Sequence, residues 1–277
     1  MHKLTFMVSA DVRALGRRLA PWVSVPLVAG AFALLALAER RRPRRKAPEA
    51  PVRHLLRNLG VAAAGAIATA LLHGPLVGPL SRAVARRRFG LLGRLRLPPW
   101  LEVPVAVVLL DYTLYHWHVL THRVPLLWRF HRVHHTDLDL TASTALRFHF
   151  GELSLSVGFR AAQVALLGVA PLPLSIWQTL LLVSTLFHHS NLFLSPRTER
   201  VLGLFVVTPG QHGIHHAASL VETDSNWSSG LALWDRLHGT LRTQRIEPLT
   251  GLPDLRDERA LTLGRLLAMP FFRIKAP

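Results

Sequence analysis

Sixteen histidines occur in this 277-residue chain, and twelve of them lie between His116 and His216. Within that stretch they fall into groups: His118-x3-His122, His131-x2-His134-His135, His188-His189 and His212-x2-His215-His216. Residues four apart on a helix project from nearly one side, one turn up, so His118 and His122 present two imidazoles to one point. In a His-x-x-His-His group the side chains fall within about 100° of arc, and the adjacent pair diverges enough to serve two neighbouring ions. Together the groups supply about nine nitrogens, too many for one tetrahedral ion and suited to two ions with open positions. Imidazole suits iron, zinc, copper and nickel alike, so ligand type alone leaves the metal open.

The rest of the composition narrows the chemistry. The chain has no Cys, which excludes disulfides, iron–sulfur clusters and thiolate zinc sites. Between Asp111 and His216 there are only five carboxylates, Asp111, Asp137, Asp139, Glu152 and Glu199. A carboxylate-bridged site of the soluble four-helix type is therefore not expected.

Half of the residues are hydrophobic, bunched into runs near the length a bilayer-spanning helix needs. The runs are Trp22–Ala38, Leu59–Leu80, Leu101–Trp117, Leu153–Ala170 and Leu172–Phe187. They predict an all-α integral membrane protein, a bundle of about four to five apolar segments with a cytoplasmic, His-rich helical cap. Residues 1–98 hold N-terminal membrane segments and basic linkers. Residues 99–245 hold the histidine-box region with a membrane hairpin at 153–187, and 246–277 form a C-terminal tail.

The net charge of +17 would suggest nucleic acid in a soluble protein. Here the arginines flank apolar runs, which suits lipid headgroups and membrane orientation, so no nucleic-acid partner is expected. The run Arg40 to Lys46 reads as a cytoplasmic anchor and argues against a cleaved signal peptide over the first apolar run.

The hairpin returns the chain to the side it left, so the histidines before and after it share a face. Its tip carries no Lys or Arg, whereas the histidine-bearing segments carry many, which places that face in the cytoplasm. Three crossings before the first histidine group would leave the six arginines of 81–98 outside. One of those runs is therefore expected to be re-entrant or interfacial, and 81–98 to form an interfacial helix. The high Arg, Ala and Leu content points to a bacterial inner membrane.

The motifs resemble the fatty acid hydroxylase / sterol desaturase superfamily. The resemblance runs through DYTLYHWH from Asp111 to His118, His122, WRFHRVHH from Trp128 to His135 and TALRFH from Thr144 to His149. It continues with His189-Ser190-Asn191, TPGQHGIHH from Thr208 to His216, Asp224-Ser225-Asn226 and WDRLHGT from Trp234 to Thr240. It covers about 111–242.

The resemblance implies a membrane-bound oxidoreductase with a His-only dimetal centre, usually diiron, that uses O2 and external electrons to hydroxylate or desaturate a lipid of fatty acid, sterol or ether-lipid type. It implies His118, His122, His131, His134, His135, His189, His212, His215 and His216 as ligands. It favours His189 over His188 and allows zinc as a substitute. No Gly-x-Gly-x-x-Gly fingerprint occurs in the chain, so a separate ferredoxin, cytochrome or flavoprotein reductase is expected as electron donor. The chain departs from the family at Tyr115-His116-Trp117-His118-Val119, where relatives often read Tyr-Trp-x-His-Arg. It also departs at His149-Phe150-Gly151-Glu152, against His-Pro-x-Glu, at Asn226-Trp227-Ser228, against Asn-Tyr-Gly, and at His238.

The alternatives are a relative that keeps zinc and has lost catalysis, and a metal transporter that relays ions between histidines. Asp111, His149, Asp224 and Asp235 are candidates for orienting ligand histidines. For Asp111 an ion pair with an arginine such as Arg132 is the competing role. His2, His54, His73, His116 and His238 read as structural or solvated, and Trp234 as packing.

Overall fold

In the computed structural model, which describes residues 23–46 and 49–272, the apolar runs are helices that travel between two ends of one bundle. They are α1 (Val23–Arg41), α2 (Pro51–Arg87), the short α3 (Gly90–Leu95) and α4 (Pro99–Arg123). After α5 (Pro125–His135) come α6 (Phe150–Leu167) and α7 (Pro171–His189). The remaining helices are short: α8 (Pro196–Leu202), α9 (Pro209–His215), α10 (Leu220–Thr223), α11 (Leu233–Leu237) and α12 (Leu263–Ala268). Among the described residues there is no strand, only isolated bridges such as Val206 to Leu231.

Proline opens half of these helices. Pro51, Pro99, Pro125, Pro171 and Pro209 each stand in the first turn, where a missing N–H costs nothing. Their ends are equally legible: α6 begins under the His149 side chain, which accepts from the Gly151 N–H, and stops at Gly168 in the left-handed region.

The chain is an integral membrane protein. α1, the α2–α3 stretch and α4 are long and apolar enough to cross a membrane, and little of their apolar surface is buried within the protein. Leu34, Ile67 and Leu71 are each more than 60% exposed. An apolar surface of that extent is stable against lipid, not water. α6 and α7, of 18 and 19 residues, fall outside that set. They still run as the two arms of the expected hairpin, each lying mainly against another helix: α6 along α2, α7 along α4. Val77, Val84, Ala106, Leu110, Val157, Val164, Leu174 and Trp177 form the core between them.

The expectation that one early run is re-entrant or interfacial turns on the paths of α1, α2 and α4. α1 runs beside α7 from a Ser24–Thr179 hydroxyl contact (2.8 Å) to Glu39, which accepts from the Asn191 N–H at the histidine end. α2 returns to the opposite end, where the Ser81 hydroxyl donates to the Val169 carbonyl, and α4 comes back. α2 and α4 run end to end, whereas Ser24 of α1 meets α7 at mid-length, so the arginines of 81–98 lie at the end away from the histidines. α2 explains how: its 37 residues reach about 55 Å, well past a hydrocarbon core of about 30 Å. Residues 81–87 are its last turns rather than a separate interfacial helix.

At that far corner the backbones of Gly90 and Gly168 nearly touch. Gly90 has φ +82°, and a Cβ there would lie 2.5 Å from the Gly168 nitrogen. Gly90→Ala is expected to lower the melting temperature of the full chain in detergent. The left-handed backbone alone costs about 1–2 kcal/mol, before the overlap is relieved. An unchanged melting curve would contradict this packing.

Candidate metal centre

Four elements bring the histidines together at one end of the bundle. α4 supplies His118 and His122, α5 His131, His134 and His135, α7 His189, and α9 with its cap residue His212, His215 and His216. α9 starts with a capping box, Thr208 accepting from the Gln211 N–H and Gln211 from that of Thr208.

The nine histidines divide into two groups. One holds His118, His122, His131, His135 and His215, and the other His134, His189, His212 and His216; within each, one nitrogen per ring lies within 4.8 Å of the others. The Nε2 of His189 stands 2.9 Å from Nε2 of both His134 and His212, and Nε2 atoms of His131 and His135 are 3.2 Å apart. His188 is buried beside His212 but belongs to neither group.

Four of the outward nitrogens are held by protein oxygens. Nδ1 of His118 donates to the Trp227 carbonyl (2.7 Å), that of His215 to Ser225 (2.8 Å) and that of His189 to Thr185 (2.8 Å). His131 Nδ1 donates to the Glu152 carboxylate (2.8 Å). Each bond fixes the tautomer that leaves the Nε2 lone pair facing inward.

Several buried ring nitrogens have no protein partner: His122 Nε2, His134 Nδ1, His212 Nδ1, His215 Nε2 and both of His216. Buried polar atoms are costly unless something pairs with them. Burial, reinforced by repulsion between neighbouring imidazoles, holds His134, His135, His212 and His216 well below the ordinary histidine value. Burial likewise pushes His215 down to about 3. These rings are therefore neutral at pH 7, the form that offers a lone pair to a metal. A dense set of neutral, outwardly braced imidazoles with converging unpaired nitrogens fits metal cations and little else.

The carboxylate candidates behave differently from one another. Among the described residues Asp111 touches no histidine and no arginine; it accepts from the Trp234 indole (2.7 Å) and the Leu231 N–H (2.9 Å), while Arg132 pairs with Asp254. Asp235 also touches no histidine. It accepts from the Trp227 and Ser228 N–H groups and so fixes the loop whose carbonyl holds His118. Asp224 pairs with Arg123 (3.2 Å), with His122 Nδ1 at 3.8 Å. His149 caps α6 and contacts the Leu267 carbonyl (3.0 Å), away from both groups.

Sequence reasoning missed Glu152 as the partner of His131. Its one signal was a carboxylate opening an apolar run three residues after His149. His54 is not solvated: it is buried against Asp137 (2.8 Å) in a network with Glu49, Arg57, Asn58, Thr144 and Arg147. Glu49, His54 and Asp137 could by distance hold an ion. The two guanidinium groups already balance those carboxylates, so the cluster reads as an ion network. His73 meets Gln178, and His116 and His238 pack against Tyr112 and Tyr115. His2 lies outside the described residues.

Residues 103–240 match the family described as fatty acid hydroxylase. This chain belongs to the fatty acid hydroxylase / sterol desaturase superfamily. It is 32% identical over 179 residues to an ornithine lipid hydroxylase of Rhizobium tropici, covering 64% of this chain and 52% of that protein. It is 33% identical over 144 residues to a cholesterol 25-hydroxylase-like protein of Danio rerio, covering 50% and 55%. With the alkylglycerol monooxygenase of Homo sapiens it shares 28% over 147 residues, covering 51% and 31%. The chain thus spans about half the length of the first two and about a third of the last. No solved structure matches it.

Proposed function

We propose that this protein is a membrane-bound lipid hydroxylase whose two histidine groups hold two iron ions. The observation that carries the reading is the division of nine histidines, eight of them buried, into groups of five and four at one end of the bundle. When bound, the metal pair would supply the O2 chemistry needed to oxidise an unactivated C–H bond. The overall reaction joins one oxygen atom to the substrate carbon and reduces the other to water, consuming two electrons and two protons. The electrons come from a separate ferredoxin, cytochrome or flavoprotein reductase.

The chain's own contribution is placement. α4, α5, α7 and α9 hold the rings, the carbonyls of Trp227, Ser225 and Thr185 fix their tautomers, and Glu152 orients His131. The membrane-facing surface of α1, α2 and α4 keeps the centre at the edge of the bilayer, where a lipid substrate resides. The histidine end faces the cytoplasm of a bacterial inner membrane. Arginines flank both ends of the bundle, and the Arg40–Lys46 run, the α4–α5 corner and the C-terminal segments weight the histidine end more heavily.

Membranes of cells expressing the full chain should yield a lipid carrying one added oxygen atom, absent when iron is withheld and absent from cells carrying His215→Ala. An unchanged lipid profile, with zinc in place of iron in the purified protein, would turn the assignment into one of ancestry alone. Glu152→Gln is expected to weaken metal binding at the five-histidine group about 10–100-fold by loosening His131. A metal titration of the full chain measures it, and an unaltered affinity would remove Glu152 from this role.

A further inference from the structure

The wall between the five-histidine group and solvent is also the floor of a second feature. A cleft of about 560 Å³ opens beside it, lined by Arg123, Asp224, Trp227, Thr240, Arg242 and Gln244 among others. The Ser225 and Trp227 carbonyls that brace His215 and His118 belong to residues of this lining, so an occupant would lie one peptide layer from those rings.

The chemistry of the cleft favours an anion. Two guanidinium groups border it against one carboxylate, and that carboxylate, Asp224, is already paired with Arg123 (3.2 Å). Among the described residues Arg242 has no carboxylate within ion-pair distance, although its backbone is clamped by Asn226, which accepts from the Arg242 N–H (2.7 Å) and donates to its carbonyl (2.8 Å). Asn226 in turn donates to the Gln211 carbonyl of α9, so Arg242 is fixed relative to the helix that carries three of the histidines. Trp227 is only 5% exposed, yet its indole Nε1–H is buried without a partner, and the Arg123 guanidinium lies over its ring at 5.5 Å.

Depth selects the kind of anion. Arg123 is the last residue of α4, a helix long enough to cross the bilayer, so the cleft lies at the level of lipid headgroups. The geometry points to a recognition site for the anionic headgroup of the lipid substrate, with Arg242 and Arg123 pairing with its charged oxygens. This rests on the lipid-hydroxylase reading above. A headgroup anchored here would fix how far along the lipid the oxidised carbon lies.

The test uses the full chain in detergent and three probes: dihexanoyl phosphatidate, dihexanoylglycerol and inorganic phosphate. Equilibrium binding should show phosphatidate held at least about tenfold more tightly than the neutral dihexanoylglycerol, the scale of one charge-assisted hydrogen bond. Arg242→Gln should lose about that factor, and Arg242→Lys should keep most of the affinity.

Equal affinities for phosphatidate and dihexanoylglycerol, or an Arg242→Gln protein that binds as wild type, would overturn the proposal. Displacement of phosphatidate by an equal concentration of inorganic phosphate would also overturn it, by making this a free-phosphate site. None of these measurements requires iron or turnover, so the site can fail while the metal content still supports an oxygenase, and the converse also holds.

Discussion

His134→Ala and His215→Ala should each leave the purified protein with about one iron per chain instead of about two, and each should abolish lipid hydroxylation. The two residues belong to different histidine groups, so each substitution withdraws one ring from one metal position and leaves the other group complete. Removing an outer partner of a metal-bound histidine already costs 10–100-fold, so losing the ring itself should lower activity by more than about 100-fold. The double variant should retain no stoichiometric iron. Elemental analysis of the three proteins in detergent, beside oxygenated-lipid yield from the same cells, decides it. Two irons retained in either single variant would mean that its histidine is not a ligand.

Asp137→Ala should destabilise the fold by about 3–5 kcal/mol, the usual consequence of removing one member of a buried ion network and leaving its partners uncompensated. Asp137 is fully buried, with His54 at 2.8 Å, the Thr144 hydroxyl donating at 2.7 Å and Arg147 at 3.8 Å. Burial opposes its charge, but His54 and the Arg147 guanidinium override it and hold the carboxyl well below the ordinary range. Arg147 also donates to the Val133 carbonyl (3.1 Å) and the Thr136 hydroxyl (2.7 Å), tying the network to the end of α5 immediately behind His134 and His135. Loss of stability should therefore be accompanied by loss of metal. Thermal unfolding in detergent measures the first effect. Combining Asp137→Ala with Arg147→Met, which removes the stranded cation, should recover part of the lost stability. An unaltered melting temperature for Asp137→Ala would show that the network contributes nothing.

These two predictions also mark what could be read from the chain alone. The apolar runs gave the five long helices, because a span is a local property of about twenty residues. The nine histidines could be grouped from spacing, because helical geometry turns intervals of three and four into shared faces. Asp137 and His54 could not be paired that way. They are 83 residues apart, His54 on α2 and Asp137 in the loop after α5, with no periodicity linking them. The same holds for Asp111, whose partner Trp234 is 123 residues distant. Its position in an apolar run invited a role in orienting a ligand histidine, whereas its bonds show a latch between α4 and α11. The path of α2 was misjudged for a different reason. Charge rules weigh arginines by where a helix of average length would put them, and α2 is far longer than average.

Both α5 and α9 contribute to each histidine group: His131 and His135 face one and His134 the other, while His215 faces the first and His212 and His216 the second. The interval between the two positions is thereby written into the rise and rotation of single helical turns. No connecting loop sets it. Insertions between α5 and α9 can lengthen the hairpin or reshape the surface and still leave that interval intact, whereas one residue added or deleted inside either turn would put both positions out of step at once.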